Sequence, residues 1–205
     1  MIVSWDEDRE QGCALAATPE EYDAFPPVCA LMLDDAPRVI DPDRVALASY
    51  LAFGDWSSGD LVVPHDVSPA AADAIERDAR PLPIRPRPVE YAARALPESL
   101  GSVDVRFGLP VAPSTRPVLA VVPSTLAHGV FRTGTTTIVP SNAFILDGAR
   151  DMTTPRIRAR LAVAVLFAQE VGASTLRITE AESEPEELAR LQALTRSVNL
   201  HVSFE

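Results

Sequence analysis

The sequence predicts an α/β or α+β fold in which a mixed sheet is covered by about five helices. Three observations support this prediction. Proline follows a typical helix-capping residue at several points in the chain. Short β-branched or apolar runs lie between those points. From residue 155 onwards the pattern alternates as helix, strand, helix, strand.

Each predicted helix begins at a recognisable start signal. Thr18, Asp41, Ser68 and Thr154 are each followed by proline, which is favoured at the first helical position. Residues 183–186 read Ser-Glu-Pro-Glu and form a capping box. These signals predict helices near residues 19–25, 42–53, 69–79, 155–171 and 184–197.

The predicted strands are short apolar or alternating runs between the helices. Residues 28–33 form a continuous apolar run that suits a buried strand. Residues 80–88 are rich in proline, which excludes a central strand and favours an extended edge segment, with a PxxP peptide ligand as the alternative. We predict strands at residues 2–5, 14–17, 28–33, 61–63, 89–93, 102–107, 118–122, 136–139, 175–179 and 200–204.

The C-terminal region is predicted to be an α-β-α-β crossover unit, which favours a parallel pair for its two strands. Its first helix is apolar on nearly all sides after Arg160, so we expect it to be buried on more than one side. A second proline cluster at residues 110–117 suggests a boundary. It divides the chain into an acidic N-terminal α/β subdomain, residues 1–111, and a C-terminal α/β subdomain, residues 112–205, although one continuous domain is also compatible.

All 18 basic residues are arginine, because the chain contains no lysine. This excludes a Schiff-base lysine, a lysine that anchors pyridoxal phosphate and a P-loop lysine. The codon usage of a GC-rich bacterial genome would account for the bias, and a selected absence of lysine is the alternative. We expect a soluble cytoplasmic protein, since the longest apolar run, residues 161–168, is too short to span a bilayer and no segment resembles a signal peptide.

The net charge of −11 is unevenly distributed along the chain. Residues 1–78 hold 17 acids and four arginines, whereas residues 80–160 hold five acids and 11 arginines. The acidic balance argues against a nucleic-acid partner. The arginine-rich middle either forms a local anion site or pairs with the acidic first third.

Three predicted strands end in proline followed by two polar residues. If these strands lie side by side, the polar pairs lie together at the carboxyl edge of the sheet, where ligands bind in open α/β folds. The alternative is that they are ordinary turn-forming residues. The pairs are His65-Asp66, Ser124-Thr125 and Ser141-Asn142.

Arginines supply the second group of candidate site residues. Residues 129–136 have P-loop spacing, but Thr135 replaces the lysine and a strand follows, which predicts a hairpin turn with Arg132 available to an anion at its tip. Arg156 and Arg160 share one face at the start of a predicted helix, where positive charges are unfavourable. A bound phosphate or carboxylate would relieve this repulsion. The alternative is local neutralisation by Asp147 and Asp151.

Two hypotheses about function follow. The first is a small-ligand protein that binds an anion or phosphorylated metabolite through the strand-end pairs and the three arginines. If it is an enzyme, which the sequence leaves open, His65 or His128 is the candidate proton carrier. The second is an acidic protein-binding module, such as an immunity protein, an inhibitor or a subunit of a larger assembly. Neither a metal nor a cofactor is expected, because no histidine has metal-ligand spacing and Cys13 and Cys29 form no metal pair.

Overall fold

The computed structural model describes residues 1–8, 12–92, 101–109, 114–148, 156–179 and 183–205. These residues form one mixed sheet of eleven strands and five α-helices, which confirms the predicted fold class. A short 3₁₀ helix, Gly54–Trp56, follows the first α-helix. The helices are α1 (Pro42–Phe53), α2 (Pro69–Asp78), α3 (Ala143–Gly148), α4 (Arg158–Phe167) and α5 (Pro185–Arg196). The strands are β1 (Ile2–Asp8), β2 (Gly12–Thr18), β3 (Ala30–Leu33), β4 (Asp60–Val67), β5 (Arg85–Val89), β6 (Gly101–Phe107), β7 (Val118–Pro123), β8 (Phe131–Arg132), β9 (Thr136–Ser141), β10 (Ala173–Ile178) and β11 (His201–Phe204).

Ten strands follow one another across the sheet in the order β5-β4-β1-β2-β3-β9-β7-β6-β10-β11, and β8 pairs with β9 as an antiparallel hairpin. β1, β3, β4 and β5 run in one direction, while β2, β6, β7, β9, β10 and β11 run in the other. The two halves of the sheet therefore meet at the antiparallel pair β3–β9. Parallel pairing of β10 with β11 confirms the predicted crossover unit.

The two halves repeat one strand order. From edge to centre the first half reads β5-β4-β1-β2-β3 and the second reads β11-β10-β6-β7-β9. In the first half the central strand β3 leads through α1 to β4, next to the edge, and through α2 to the edge strand β5. In the second half β9 leads through two helices, α3 and α4, to β10 and through α5 to the edge strand β11. The halves differ at β2, which is antiparallel to its neighbours, whereas its counterpart β7 is parallel to both of its own.

The helices lie on one face of a strongly bent sheet. α2 packs on β5, α5 packs on β11, and α1 packs on both β4 and α4. Ten flat strands spaced about 4.8 Å apart would separate β5 from β11 by about 43 Å. Arg190 in α5 nevertheless donates a hydrogen bond of 2.9 Å to Asp78 in α2. The sheet must therefore curve around the helices, which form an inner layer between its two halves.

β3 shows why the continuous apolar run at 28–33 was a misleading signal. The strand is central, but it is antiparallel to both neighbours and only one of its faces meets the helices. Leu31 and Leu33 are buried on that face, while Met32 on the other face is 47% exposed. The predicted strand therefore exists as Ala30–Leu33, but it is buried on one face only.

Two of the predicted helix starts are confirmed by capping hydrogen bonds. The Asp41 side chain accepts from the Arg44 amide at 2.9 Å, and the Ser68 hydroxyl accepts from the Ala71 amide at 3.4 Å. The capping-box assignment is corrected, because the N-cap of α5 is Glu184, whose side chain makes no capping bond. Thr154-Pro155 lies outside the described residues.

The helix predicted at 19–25 does not form. The Asp23 carboxylate accepts hydrogen bonds from the amides of Glu20 and Ser58 and contacts the Met1 ammonium at 2.5 Å. These bonds hold residues 19–27 as a loop. Pro26 and Pro27 also disfavour helical backbone in the residue before each of them.

The proline-rich residues 80–88 contain β5, which lies at the sheet edge as expected of such a sequence. The sheet is continuous across the boundary predicted near residue 111. β6, which belongs to the predicted N-terminal subdomain, lies between β7 and β10 of the predicted C-terminal one. In α4, residues 161–167 are all buried, in accord with the apolar pattern of that helix.

Candidate functional site

The predicted strand-end residues fall into two separate places. β7 and β9 are parallel neighbours in which Pro123 pairs with Ser141, so the polar pairs after both strands lie at the same edge. β4 runs in the opposite direction and is separated from β9 by three strands. His65 and Asp66 therefore lie at the other edge of the sheet, and the expectation of one composite site from all three strand ends is corrected.

Ser141 and Asn142 support the sheet. The Ser141 hydroxyl donates to the Met32 carbonyl at 2.8 Å. Asn142 accepts from the Met32 amide at 2.8 Å and donates to the Ala30 carbonyl at 2.9 Å, so its side-chain amide imitates a strand neighbour of β3. Both side chains are engaged with backbone and are poorly placed to bind a ligand. Ser124 is half-buried and Thr125 is exposed beside them.

The two histidines named as proton carriers do not share a site with each other. His128 is exposed, next to Gly129, whose amide donates to Asp34 at 2.7 Å. His65 is half-buried near the carboxyl end of β4, and its Nε2 is buried with no hydrogen-bond partner in the described part of the chain. Asp66 beside it is exposed.

Arg132 lies on the hairpin β8–β9, as the sequence predicted, but its guanidinium is already bound. It contacts Glu170 at 2.5 Å and Asp35 at 2.6 Å, and donates to the Ala36 carbonyl at 3.1 Å. The hydrogen bond to Glu170 raises the pKa of Arg132 above its usual value. An anion would have to compete with two carboxylates for this guanidinium, and the anion contact at the hairpin tip stays a prediction.

Arg160 is neutralised by Asp147, which was the alternative that the sequence offered. Its Nε donates to the Asp147 carboxylate at 2.7 Å, and its guanidinium lies over the rings of Phe107 and Phe144. Asp147 also accepts from the amides of Ala159 and Arg160, at 2.7 and 3.2 Å. The N-cap residue Ile157 makes no side-chain capping bond, so the Asp147 carboxylate, which is distant in sequence, caps the start of α4 instead.

A cleft of about 420 Å³ opens at one end of the helix layer. It lies between the C-terminal ends of α1 and α2 and the N-terminal ends of α4 and α5, and we call it the helix-end cleft. Its charged lining residues are Arg80, Arg156, Arg158, Arg190, Asp55, Asp78, Glu184 and Glu187. Of the arginines proposed from sequence, only Arg156 lies here.

Arg158 is the centre of the ion-pair network in this cleft. Its side chain is 9% exposed and contacts Glu187 at 2.5 Å and Asp78 at 3.3 Å. Its guanidinium lies over the Tyr50 ring, 5.8 Å from the ring centroid. Burial alone would lower the pKa of Arg158, but the hydrogen bond and charge of Glu187 raise it above its usual value. Four helices are therefore joined through one buried guanidinium.

Asp78 forms hydrogen bonds or ion pairs with three residues of the same network. It accepts from the Tyr50 hydroxyl at 2.7 Å, and its two oxygens also contact Arg158 and Arg190. Burial, with the nearby Asp78 charge, raises the pKa of Tyr50. Tyr50 therefore stays protonated and acts as a donor, not as a base.

The side chains at the opening of the cleft are more exposed and have fewer bonding partners than those on its floor. Arg156 binds Asp55 but remains one-third exposed, and Arg190 is 45% exposed. Arg80 is exposed, and no carboxylate of the described residues lies within 4 Å of its guanidinium. The first turn of α5 also borders the cleft and carries two acids, Glu186 and Glu187. The exposed arginines of the opening are the groups that can bind an anion.

Sequence reasoning missed most of this cleft. Arg158 carried a signal, since it is a charge at the start of an otherwise apolar helix. Tyr50, Asp78, Arg80 and Arg190 carried none, because only the bend of the sheet brings α2 near α5.

Comparisons with protein-family models, with curated proteins and with solved structures find no match. Among the described residues, no three His, Cys, Asp or Glu side chains form a group suited to a metal ion. The same residues include no helix with the length and apolar character needed to cross a membrane.

Proposed function

We propose that this protein binds a small anionic metabolite, carrying a carboxylate or a phosphate, in the helix-end cleft. The observation that carries the proposal is the concave opening itself, where Arg80, Arg156 and Arg190 converge with the first turn of α5. Its volume of about 420 Å³ lies in the range of small-molecule sites. The ligand would place its anionic group against the arginines at the rim.

Arg80 is the group at the opening that is best placed to receive an anion. Three of the four lining acids, Asp55, Asp78 and Glu187, are bonded to arginines, so their negative charge is locally compensated. Arg80 has no such partner among the described residues. The fourth acid, Glu184, is exposed, and the adjoining groove between α2 and α5 adds one exposed arginine and one exposed glutamate. The formal charges therefore balance, and the proposal depends on direct contact of the ligand with the exposed arginines.

The floor of the cleft is a network of bonded side chains. Tyr50 is a protonated hydrogen-bond donor and Arg158 is a cation, and the carboxylates of Asp78 and Glu187 are bonded to arginines. A rigid and fully bonded floor suits a site that positions a ligand.

The test is a thermal melt against a panel of phosphorylated metabolites, nucleotides and simple carboxylates. A ligand at 100 times its Kd adds about 2.7 kcal/mol to the free energy of unfolding. For a chain of this size the melting temperature should rise by about 5 to 10 °C. Arg80→Gln and Arg156→Gln should each reduce the shift, whereas Arg85→Gln, an exposed arginine outside the cleft, should leave it unchanged. A panel without any shift, or a shift equal in all four proteins, would contradict the proposal.

A protein-binding module is the second candidate, and one observation favours it. Tyr22 and Phe25 are both 79% exposed in the loop between β2 and β3, beside Glu20 and Glu21. Exposed aromatic side chains with an acidic surround suit a basic partner. Combining Glu20→Lys and Glu21→Lys with Tyr22→Ser should abolish capture of such a partner and leave ligand-induced melting shifts intact. Arg80→Gln and Arg156→Gln should reduce the ligand-induced melting shifts and leave capture of the partner intact.

A further inference from the structure

Two charged side chains of opposite sign in the lining of the helix-end cleft have no bonding partner in the part of the chain that the structure describes. Arg80 follows the C-terminal end of α2 and makes no ion pair there. Glu184 is the N-cap residue of α5, and its side chain makes neither a capping bond nor an ion pair. Both are exposed. The other charged side chains of the described lining are bonded to one another.

The bonded network of the cleft brings these two side chains to the same opening. Arg190 in α5 donates to the Asp78 carboxylate at 2.9 Å and to the Asp78 carbonyl at 2.7 Å, so α5 is held against the last turn of α2. Arg80 follows Asp78 by two residues, and Glu184 precedes the first turn of α5. A free cation and a free carboxylate therefore border one concave site.

The balance of charge selects among ligands that carry an anionic group. The described lining holds four arginines and four acids, so its formal charge is zero. A phosphate dianion that contacts Arg80 would also meet the uncompensated charge of Glu184, and like charges at short range repel. A ligand with both a carboxylate and an ammonium group pairs with both free side chains, and each of these bonds is charge-assisted. The lining therefore favours a zwitterion.

An apolar segment beside Arg80 indicates what the rest of the ligand resembles. Ala79, Pro81, Leu82 and Ile84 all line the cleft. Leu82 is 46% exposed, so it offers hydrocarbon surface that a ligand can cover. The cleft volume of about 420 Å³ is enough for an amino acid or a molecule of similar size. The arrangement thus combines two opposite charges with an apolar wall.

We propose that the ligand of the helix-end cleft is a free amino acid with an apolar side chain. Its carboxylate pairs with Arg80, its ammonium group pairs with Glu184, and its side chain packs on Leu82. This inference rests on the proposed function, because it names the ligand class of the same cleft. It adds a role for Glu184, which a site for a simple anion does not need.

The test is isothermal titration calorimetry with three amino acids and, for each, the carboxylate that lacks the amino group: alanine with propionate, leucine with isocaproate, and phenylalanine with hydrocinnamate. At least one amino acid should bind about 10-fold or more tightly than its matched carboxylate, because its ammonium group adds a charged hydrogen bond. Glu184→Gln should remove this advantage and leave the Kd of the carboxylate unchanged. Arg80→Gln should weaken both compounds. Glu76→Gln, which changes an exposed acid outside the cleft, should behave as the wild type.

The possible results separate this inference from the proposed function. If each amino acid binds no more tightly than its matched carboxylate, or if Glu184→Gln binds the amino acid as the wild type does, the amino-acid assignment is overturned and the anion site remains. Melting shifts with phosphorylated metabolites, without binding of any of the three amino acids, lead to the same conclusion. If neither these compounds nor the panel of anions binds, both the assignment and the proposed function fail.

Discussion

The hydroxyl of Tyr50 in α1 donates a hydrogen bond of 2.7 Å to Asp78 at the end of α2. Asp78 also binds Arg158 of α4 and Arg190 of α5, so this carboxylate is shared by all four helices that line the cleft. Loss of the Tyr50 hydroxyl and loss of the Asp78 carboxylate should therefore have unequal effects on stability. Asp78 keeps two arginines when Tyr50 loses its hydroxyl, whereas Arg158 loses one of its two carboxylates when Asp78 is removed.

We therefore expect Tyr50→Phe to lower the free energy of unfolding by about 1 kcal/mol, the usual net value of one hydrogen bond. Asp78→Ala should cost about 3 kcal/mol or more, because it leaves a buried guanidinium partly unpaired. Urea unfolding followed by circular dichroism measures both. Glu76→Ala, on the exposed face of the same helix, serves as the control and should change little. Equal costs for Tyr50→Phe and Asp78→Ala would contradict this assignment.

Asn142 is expected to be a structural residue of the junction between the two halves. Asn142→Ala removes two hydrogen bonds to the backbone of β3 and should cost about 2 kcal/mol in urea unfolding. Asn142→Asp should also destabilise, since a carboxylate cannot donate to the Ala30 carbonyl. Thr125→Ala at the neighbouring strand end should be nearly neutral. If Asn142→Ala leaves stability intact and abolishes ligand binding, the ligand-binding role first predicted from sequence is restored.

Asp147 should be required for the start of α4. Asp147→Ala removes the acceptor of the Ala159 and Arg160 amides and leaves Arg160 without its carboxylate, so a loss of about 3 kcal/mol is expected. The exposed Asp73→Ala in α2 is the matched control. Hydrogen exchange of the first turn of α4 should accelerate in Asp147→Ala alone. Unchanged protection there would show that the helix start has another support.

The two cysteines should differ sharply in reactivity. Burial, reinforced by the charges of Glu7 and Asp35, raises the pKa of Cys13 to about 12. Cys29 is exposed. A thiol reagent at pH 8 should modify Cys29 about 100-fold faster or more, because the thiolate is the reacting form. The Cys29→Ser protein should react slowly when folded and rapidly in denaturant. Rapid reaction of folded Cys29→Ser would mean that Cys13 opens to solvent.

Local signals sufficed for the elements whose identity depends on nearby residues. Two helix starts were predicted correctly from Asp41-Pro42 and Ser68-Pro69, because capping and the geometry of proline act within one turn. Thr18-Pro19 had the same form and failed, since the Asp23 carboxylate that would belong to that helix contacts the distant Met1 ammonium and the Ser58 amide. No local pattern contains that information.

The candidate site was largely beyond sequence reasoning for the same reason. Arg156 was proposed because of its place at a helix start, which is a local property. The direction of β4 relative to β7 and β9 depends on strand pairing between distant residues. The sequence did not show it, so His65 and Asp66 were grouped with residues at the opposite edge of the sheet. Arg80 and Arg190 are 110 residues apart and come together only through the curvature of the sheet.

The position of the β3–β9 pair has a consequence for how the chain can be assembled. Each five-stranded half is continuous in sequence, and the β3–β9 ladder itself contains one bridged residue pair, Leu33 with Ser141. Side-chain bonds across the junction, such as those of Ser141, Asn142 and Arg132, and the helix contacts add to it. A polypeptide cut between residues 92 and 101 would break no strand of the part of the chain that the structure describes. Two separately produced fragments, 1–92 and 101–205, should therefore be able to recombine into the native sheet, with the packing of α1 on α4 as the main source of their affinity.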